Sequence, residues 1–256
     1  MRLVVLAVLL LGAAPRTGLA QDLGTGFLDR SVVVDGQEYG YQVYVPRAYD
    51  GSTAWPVTLF LHGAGERGDN GLAQTQGGLG RAIRLNPDRW PTLVVFPQVP
   101  EDMSWQGTPG EVALAALEAT IDGYRVDESR VYLTGLSLGG NGTWYLAYHH
   151  PDRFAALVAV CGFVDFSPRL PHFLPESTPN PYVGLAERIK HIPIWIVHGD
   201  ADSVVPVEES RRMAEALQAA GAEVHYEELV GVNHNAWDPA YASQGLATWL
   251  FGQRFR

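Results

Sequence analysis

Hydrophobic and polar positions change their pattern along this chain. Ser31–Val34 and Tyr39–Val45 read as strands on either side of Asp35-Gly36, a dipeptide that favours a tight hairpin turn, so the two are expected to run antiparallel. The strands that follow are different. Val57–Leu61, Leu93–Phe96, Val131–Leu133, Leu157–Val160 and Ile194–Val197 are short, continuously apolar runs, and Val224–Leu229 is a further strand. Such runs fit strands buried on both faces, as in a parallel sheet covered by helices. Helical patterns fall between them. Thr108-Pro109-Gly110-Glu111 reads as a capping box, with Leu114, Leu117 and Ile121 on one face and Gly123 as terminator. Pro206, Glu208 and Glu209 open a second helix with Met213 and Leu217 on one face, and Gly221 closes it. A last helix is expected over Tyr241–Phe251. The predicted fold class is α/β: a mostly parallel central sheet with an N-terminal antiparallel hairpin and helices on both faces. Residues 21–256 are expected to form a single domain, since no repeat or linker interrupts them. The least regular stretch, Ser167–Pro181 with five prolines, reads either as a solvated loop or as a lid.

Composition narrows the partners. The 256 residues are 46% apolar and 18% charged, enough to build a sizeable core. Lys and Arg number 18 against 28 Asp and Glu, a net charge of −10, and an acidic surface repels phosphate backbones, so no nucleic-acid partner is expected. The single cysteine, Cys161, excludes an internal disulfide and reads as an inert core thiol. Near the N-terminus, Arg2 precedes nine apolar residues, Leu3–Leu11, and then a stretch of small residues ending Gly18-Leu19-Ala20. That is the layout of a signal peptide, residues 1–20, cleaved near Ala20, and it points to a secreted or periplasmic protein. Its loss removes Arg2 and Arg16 and no acid, moving the charge from −10 to −12. No run is long enough to span a membrane.

The chemistry begins at Gly135-Leu136-Ser137-Leu138-Gly139. This G-x-S-x-G follows the strand Val131–Leu133 and opens a helix over Leu138–His149. A serine on so sharp a strand-to-helix turn is strained, and its hydroxyl stands at a helix N-terminus, where partial positive charge favours a developing anion. The hydroxyl is a weak nucleophile that needs a base, and the base needs an orienting acid. Of the eight histidines, His234 alone follows an acid and sits on a loop beyond a late strand, so it is the expected base. His62 and His198 sit before glycines directly after strands and read as turn braces. For the acid, spacing leaves Asp200 and Asp202 both open. One oxyanion donor is the N–H of Leu138; the other belongs to the glycine-rich loop after Val57–Leu61, with Ala64 preferred to Gly65. Glu66, Arg67 and Asn70 are expected to brace that loop. Trp105 reads either as an aromatic substrate wall or as packing, and Trp237 as a wall on the leaving-group side. No metal site is expected from the spacing of His, Asp and Glu, and the chemistry needs no cofactor.

Four segments carry a resemblance: Leu61–Asn70, Gly135–Trp144, His198–Pro206 and Asn233–Trp237. Together they resemble the α/β-hydrolase superfamily. More narrowly they resemble secreted carboxylesterases labelled "predicted peptidase", a group related to feruloyl esterases, polyhydroxybutyrate depolymerases and dienelactone hydrolases. The likeness runs from about Tyr39 to Phe251. It implies Ser137 as nucleophile, Asp202 as the acid of an H-G-x-x-D pattern, His234 as base, and Ala64 and Leu138 as oxyanion donors. The polymer-binding module that such depolymerases carry is not found in these 256 residues. The expected function is hydrolysis of small-molecule or polymeric carboxylic esters. Peptide or amide hydrolysis on the same fold is the first alternative, and a non-catalytic binding module the remote one.

Overall fold

The computed structural model describes residues 24–166 and 170–255. The expected signal peptide lies outside the described residues, as do residues 167–169 of the proline-rich stretch. Eight strands form one sheet: β1 (Gly26–Val34), β2 (Gln37–Val45), β3 (Trp55–Leu61), β4 (Leu93–Pro97), β5 (Val126–Leu136), β6 (Ala156–Val160), β7 (Ile194–Gly199) and β8 (Val224–Leu229). Their spatial order is β1-β2-β4-β3-β5-β6-β7-β8. From β4 to β8 every pairing is parallel, and β2 runs antiparallel to both its neighbours. The hairpin turns at Asp35-Gly36, both at positive φ, as a two-residue hairpin turn demands.

Helices cover both faces: α1 (Gly78–Leu85), α2 (Thr108–Gly123), α3 (Leu138–His149), α4 (Pro181–Ile189), α5 (Glu208–Ala219), α6 (Trp237–Ala242) and α7 (Gln244–Gly252). The continuous apolar strands are explained by this arrangement. Val57, Leu59, Leu61, Val131 and Leu133 point into the core shared with α2–α5. Phe60, Tyr132, Val94 and Phe96 point into the core shared with α1, α6 and α7. Because a strand alternates its side chains, both sets must be apolar when both faces are covered.

Two sequence expectations need correction, and one element was not expected. Thr108 is not a cap: the helix starts at Thr108 itself, after Gly107 at φ 65°, and no side chain caps it. Gly107 takes a left-handed conformation that lets the chain enter the helix one residue early, and its N–H is met by the Tyr145 hydroxyl at 3.1 Å. The last helix is two, broken at Ser243, whose backbone is extended and whose Oγ accepts from Leu246 N–H at 3.2 Å. Finally, the proline-rich stretch ends in α4, which the sequence reading passed over. Asn180 caps it by accepting from the N–H groups of Tyr182 (3.0 Å) and Val183 (3.3 Å), with Pro181 in the first turn. Of the stretch before α4, Leu174 is buried and the Phe173 ring packs edge-on against Tyr145 at 5.9 Å.

The two glycines that bracket Ser137 are fixed by close approach. A Cβ on Gly139 would collide with the backbone carbonyls of Leu61 and His62, and one on Gly135 with the Gly139 carbonyl. Gly139→Ala is therefore expected to destabilise the fold by about 2–3 kcal/mol. Gly123→Ala, at the end of α2 with open space around its Cα, should be neutral or stabilise by about 0.5 kcal/mol. Paired urea-unfolding curves check both.

Candidate active site

The site stands at the C-terminal ends of β3, β5, β7 and β8, the edge of an open α/β sheet where ligands commonly bind. Ser137 occupies the one residue between β5 and α3 with φ 52° and ψ −114°, a conformation that L-residues rarely adopt. Its amide donates to Val160 O at 2.9 Å and its carbonyl accepts from Asn141 at 3.1 Å, so the strained turn is held from both sides. The Ser137 Oγ lies 3.0 Å from His234 Nε2, and His234 Nδ1 lies 2.7 Å from Asp202 Oδ2. The carboxylate fixes the tautomer: Nδ1–H donates to Asp202, which leaves Nε2 to accept from the serine hydroxyl.

The side chain of Asp202 is fully buried, while that of His234 keeps 18% of its surface open. Burial by itself would push the Asp202 carboxyl up. The hydrogen bonds from His234 and from the amides of Val205 (2.9 Å) and Val204 (2.8 Å) outweigh it, and the carboxyl is held below its ordinary value. Asn233 joins the acid and base loops, its Oδ1 accepting from Ser203 N–H and Oγ–H at 3.0 Å each and from His234 N–H at 2.7 Å. Asp200, the other aspartate left open by spacing, accepts from Gly231 N–H at 2.6 Å and braces the turn after β8 instead.

On the β3 side, a short 3-10 turn over Ala64–Glu66 carries the glycine-rich loop. Ala64 begins that turn and Leu138 begins α3, so neither N–H has a carbonyl one turn back to pair with. The loop is clamped from below. His62 donates from Nδ1 to Gly63 O at 2.6 Å and accepts at Nε2 from Val99 N–H at 3.0 Å. Burial pushes its imidazole down to about 4, so it sits there uncharged. Gly68 N–H donates to Val99 O at 2.9 Å and Gln98 Nε2 donates to Glu66 O at 3.0 Å and to Asn70 Oδ1 at 3.2 Å. Asn70 in turn accepts from Leu72 and Ala73.

The two tryptophans separate. Trp237 is half-buried and meets His234 edge-on, with ring centroids 5.3 Å apart. Trp105 is only 1% exposed. It donates from Nε1 to His62 O at 3.0 Å and packs against Gly142 of α3, so it buttresses the glycine-rich loop and does not wall the site. Cys161 is buried at φ 39°, and burial pushes its thiol well above the usual range. Its Sγ and the ligand atoms of Asp202 and His234 lie within 4.8 Å of one another. Two of these three are already engaged with each other, and the thiol is held protonated. Among the described residues this is the only such group of His, Cys, Asp and Glu. Three contributors escaped the sequence reading: Gln98 and Asn233 as loop anchors, and His198 as a second imidazole on Asp202 at 3.1 Å. The last is visible in the H-G-x-x-D spacing, which puts His198 at the end of β7 and folds Asp202 back over it.

A strained serine elbow on a mostly parallel sheet, with acid and base on the loops after later strands, defines an α/β-hydrolase. Residues 111–243 match the Phospholipase/Carboxylesterase family, and the chain belongs to it. Similar proteins include a secreted protein of Arthroderma benhamiae, 28% identical over 72% of this chain and 22% of its own length. Among solved structures, a thermostable esterase is 33% identical with a TM-score of 0.77, covering 90% of this chain and 63% of that one. A ferulic acid esterase of Anaeromyces mucronatus shares the fold at 16% identity and a TM-score of 0.62, over 92% of this chain and 94% of that one. The chain spans 22% to 49% of the length of the curated relatives it matches.

The neutral, buried His62 gives a pH signature. Its folded value of about 4 lies below the ordinary 6.5, so the unfolded chain binds the proton more readily. Stability from this group is complete above 6.5 and is lost as pH falls toward about 4. Melting temperatures across that window should therefore decline for the native protein, and the decline should flatten in His62→Asn, which keeps the donor to Gly63.

Proposed function

We propose that this protein is an exported serine esterase that cleaves carboxylic esters through an acyl-enzyme. The observation that carries this reading is the unbroken chain from Ser137 Oγ to His234 Nε2 (3.0 Å) and from His234 Nδ1 to Asp202 (2.7 Å), on a strained elbow at a helix N-terminus. His234 takes the serine proton as Oγ attacks the ester carbonyl, and the C–O bond to the alcohol breaks when the protonated His234 returns that proton to the leaving oxygen. Water, deprotonated by the same imidazole, then adds to the acyl carbon and releases the acid, with Ser137 recovering its proton. The N–H groups of Ala64 and Leu138 receive the oxyanion in both halves. Trp237, edge-on to His234, lines the side from which the alcohol leaves. No step asks for a metal or a cofactor.

Kinship with a thermostable esterase at 33% identity supports the ester as substrate class. The likeness to a secreted protein supports export, and so does the signal-like N-terminus. No helix among the described residues is long and apolar enough to cross a membrane. One domain over residues 21–256 accounts for the site, since its residues run from Ala64 to Trp237 on a single sheet.

The test is turnover of p-nitrophenyl acetate and longer acyl homologues, methyl ferulate and a polyester film, beside the matched p-nitroanilides. Esters should be hydrolysed well ahead of anilides. Ser137→Ala should lower kcat by about 10⁶-fold and Asp202→Asn by about 10⁴-fold. Ester turnover untouched by Ser137→Ala, or anilides cleaved faster than esters, would overturn the reading.

A further inference from the structure

Asp202 carries two imidazoles. His198, near the end of β7, is wholly buried, with Nε2 at 3.1 Å from Asp202 Oδ2 and at 3.1 Å from Val205 O. Its Nδ1 lies 2.7 Å from Ser210 Oγ on α5. A peptide carbonyl and an ionised carboxylate both only accept, so Nε2 must bear the hydrogen. Burial pushes this imidazole down toward its neutral form, against the pull of Val205 and Asp202. A neutral ring protonated at Nε2 has a lone pair at Nδ1, which then accepts from the Ser210 hydroxyl. Asp202 thus receives four N–H donors: two amides, of Val204 and Val205, on Oδ1, and two imidazoles on Oδ2.

The oxygen shared by the two rings is the one that orients the base. His198 adds a directional donor there without adding a charge, so Asp202 stays the local anion and its rotation is fixed. Taking the reading of Ser137 as nucleophile, we propose that His198 is a positioning residue: its Nε2–H sets Asp202 Oδ2 against His234 and so tunes the reactivity of a serine it never touches. The other ionisable groups around the pair are Cys161, beside Asp202 at the end of β6, and Glu228 on β8, whose carboxyl feels the His198 ring. Removing the donor concentrates the carboxylate's charge on its remaining partners. The protonated form of His234 is then favoured, and the acid limb of serine reactivity moves to higher pH.

The measurement is the rate of Ser137 phosphonylation by a fluorophosphonate against pH, in the whole protein, alongside melting temperature and ester turnover. His198→Gln places an amide N–H near the Nε2 position, whereas His198→Asn places one near Nδ1 and His198→Phe places none. His198→Phe and His198→Asn should label about tenfold more slowly, with the acid limb displaced upward, while His198→Gln should stay within about threefold of the native rate, its limb unmoved. If His198→Phe fails to fold, the Gln and Asn pair decides the question. Native rate and native acid limb in His198→Phe or His198→Asn would overturn the proposal, as would equal losses in Gln and Asn that follow melting temperature alone. Such a result leaves the esterase reading standing if the native protein still hydrolyses esters. A native protein that is labelled but hydrolyses no ester would instead remove the esterase reading and leave the labelling comparison to judge His198.

Discussion

The turn at Ser137 is the constraint on which the rest of the molecule depends. Holding a non-glycine residue at φ 52° costs about 1–3 kcal/mol unless its surroundings fix it there. They do so by crowding. The first turn of α3 lies so close to the end of β3 that position 139 has no room for a side chain, and Ser137 itself is hydrogen-bonded to the end of β6. Three central strands must therefore be in register before the serine can stand upright. Once they are, β3 delivers the glycine-rich loop beside the elbow, and β7 and β8 deliver Asp202 and His234 from the other side. Cys161, the residue directly after β6, also stands at positive φ, 39°.

Electrostatically the site is organised around one buried anion. The Asp202 side chain is fully buried and meets that cost with hydrogen bonds from two amides and two imidazoles. His62 and His198 are both buried rings kept toward neutrality by desolvation, and each is used as an oriented donor and acceptor pair rather than as a charge. In the proposed acyl transfer, a second cation close to Asp202 would compete with the imidazolium formed on His234. A second neutral donor steadies the carboxylate and leaves that role to the base.

Much of this was legible in the sequence because the signals were local. The hairpin was written in Asp35-Gly36, the two-sided sheet in its unbroken apolar runs, and the elbow in glycines two residues either side of Ser137. What stayed hidden depended on contacts between distant segments. Trp105 reads as a wall or as filler until its indole is seen bonded to His62 beneath the loop. Asp200 and Asp202 are two residues apart, and only the path of the 199–206 turn and its neighbour Asn233 separates a brace from an acid. Helix ends failed for a different reason. Thr108, Asn180 and Ser243 are all good capping residues by type, and backbone conformation, extended at Asn180 and Ser243 but already helical at Thr108, selected the two that cap.

The central claim is that Ser137 is a nucleophile activated by an imidazole that Asp202 holds in place. Peptide mapping by mass spectrometry after brief treatment with a fluorophosphonate addresses it most directly. The account predicts one adduct, on Ser137, whose formation is nearly abolished in Asp202→Asn although that variant remains folded. An adduct on another residue, or undiminished labelling of Ser137 in Asp202→Asn, would contradict it.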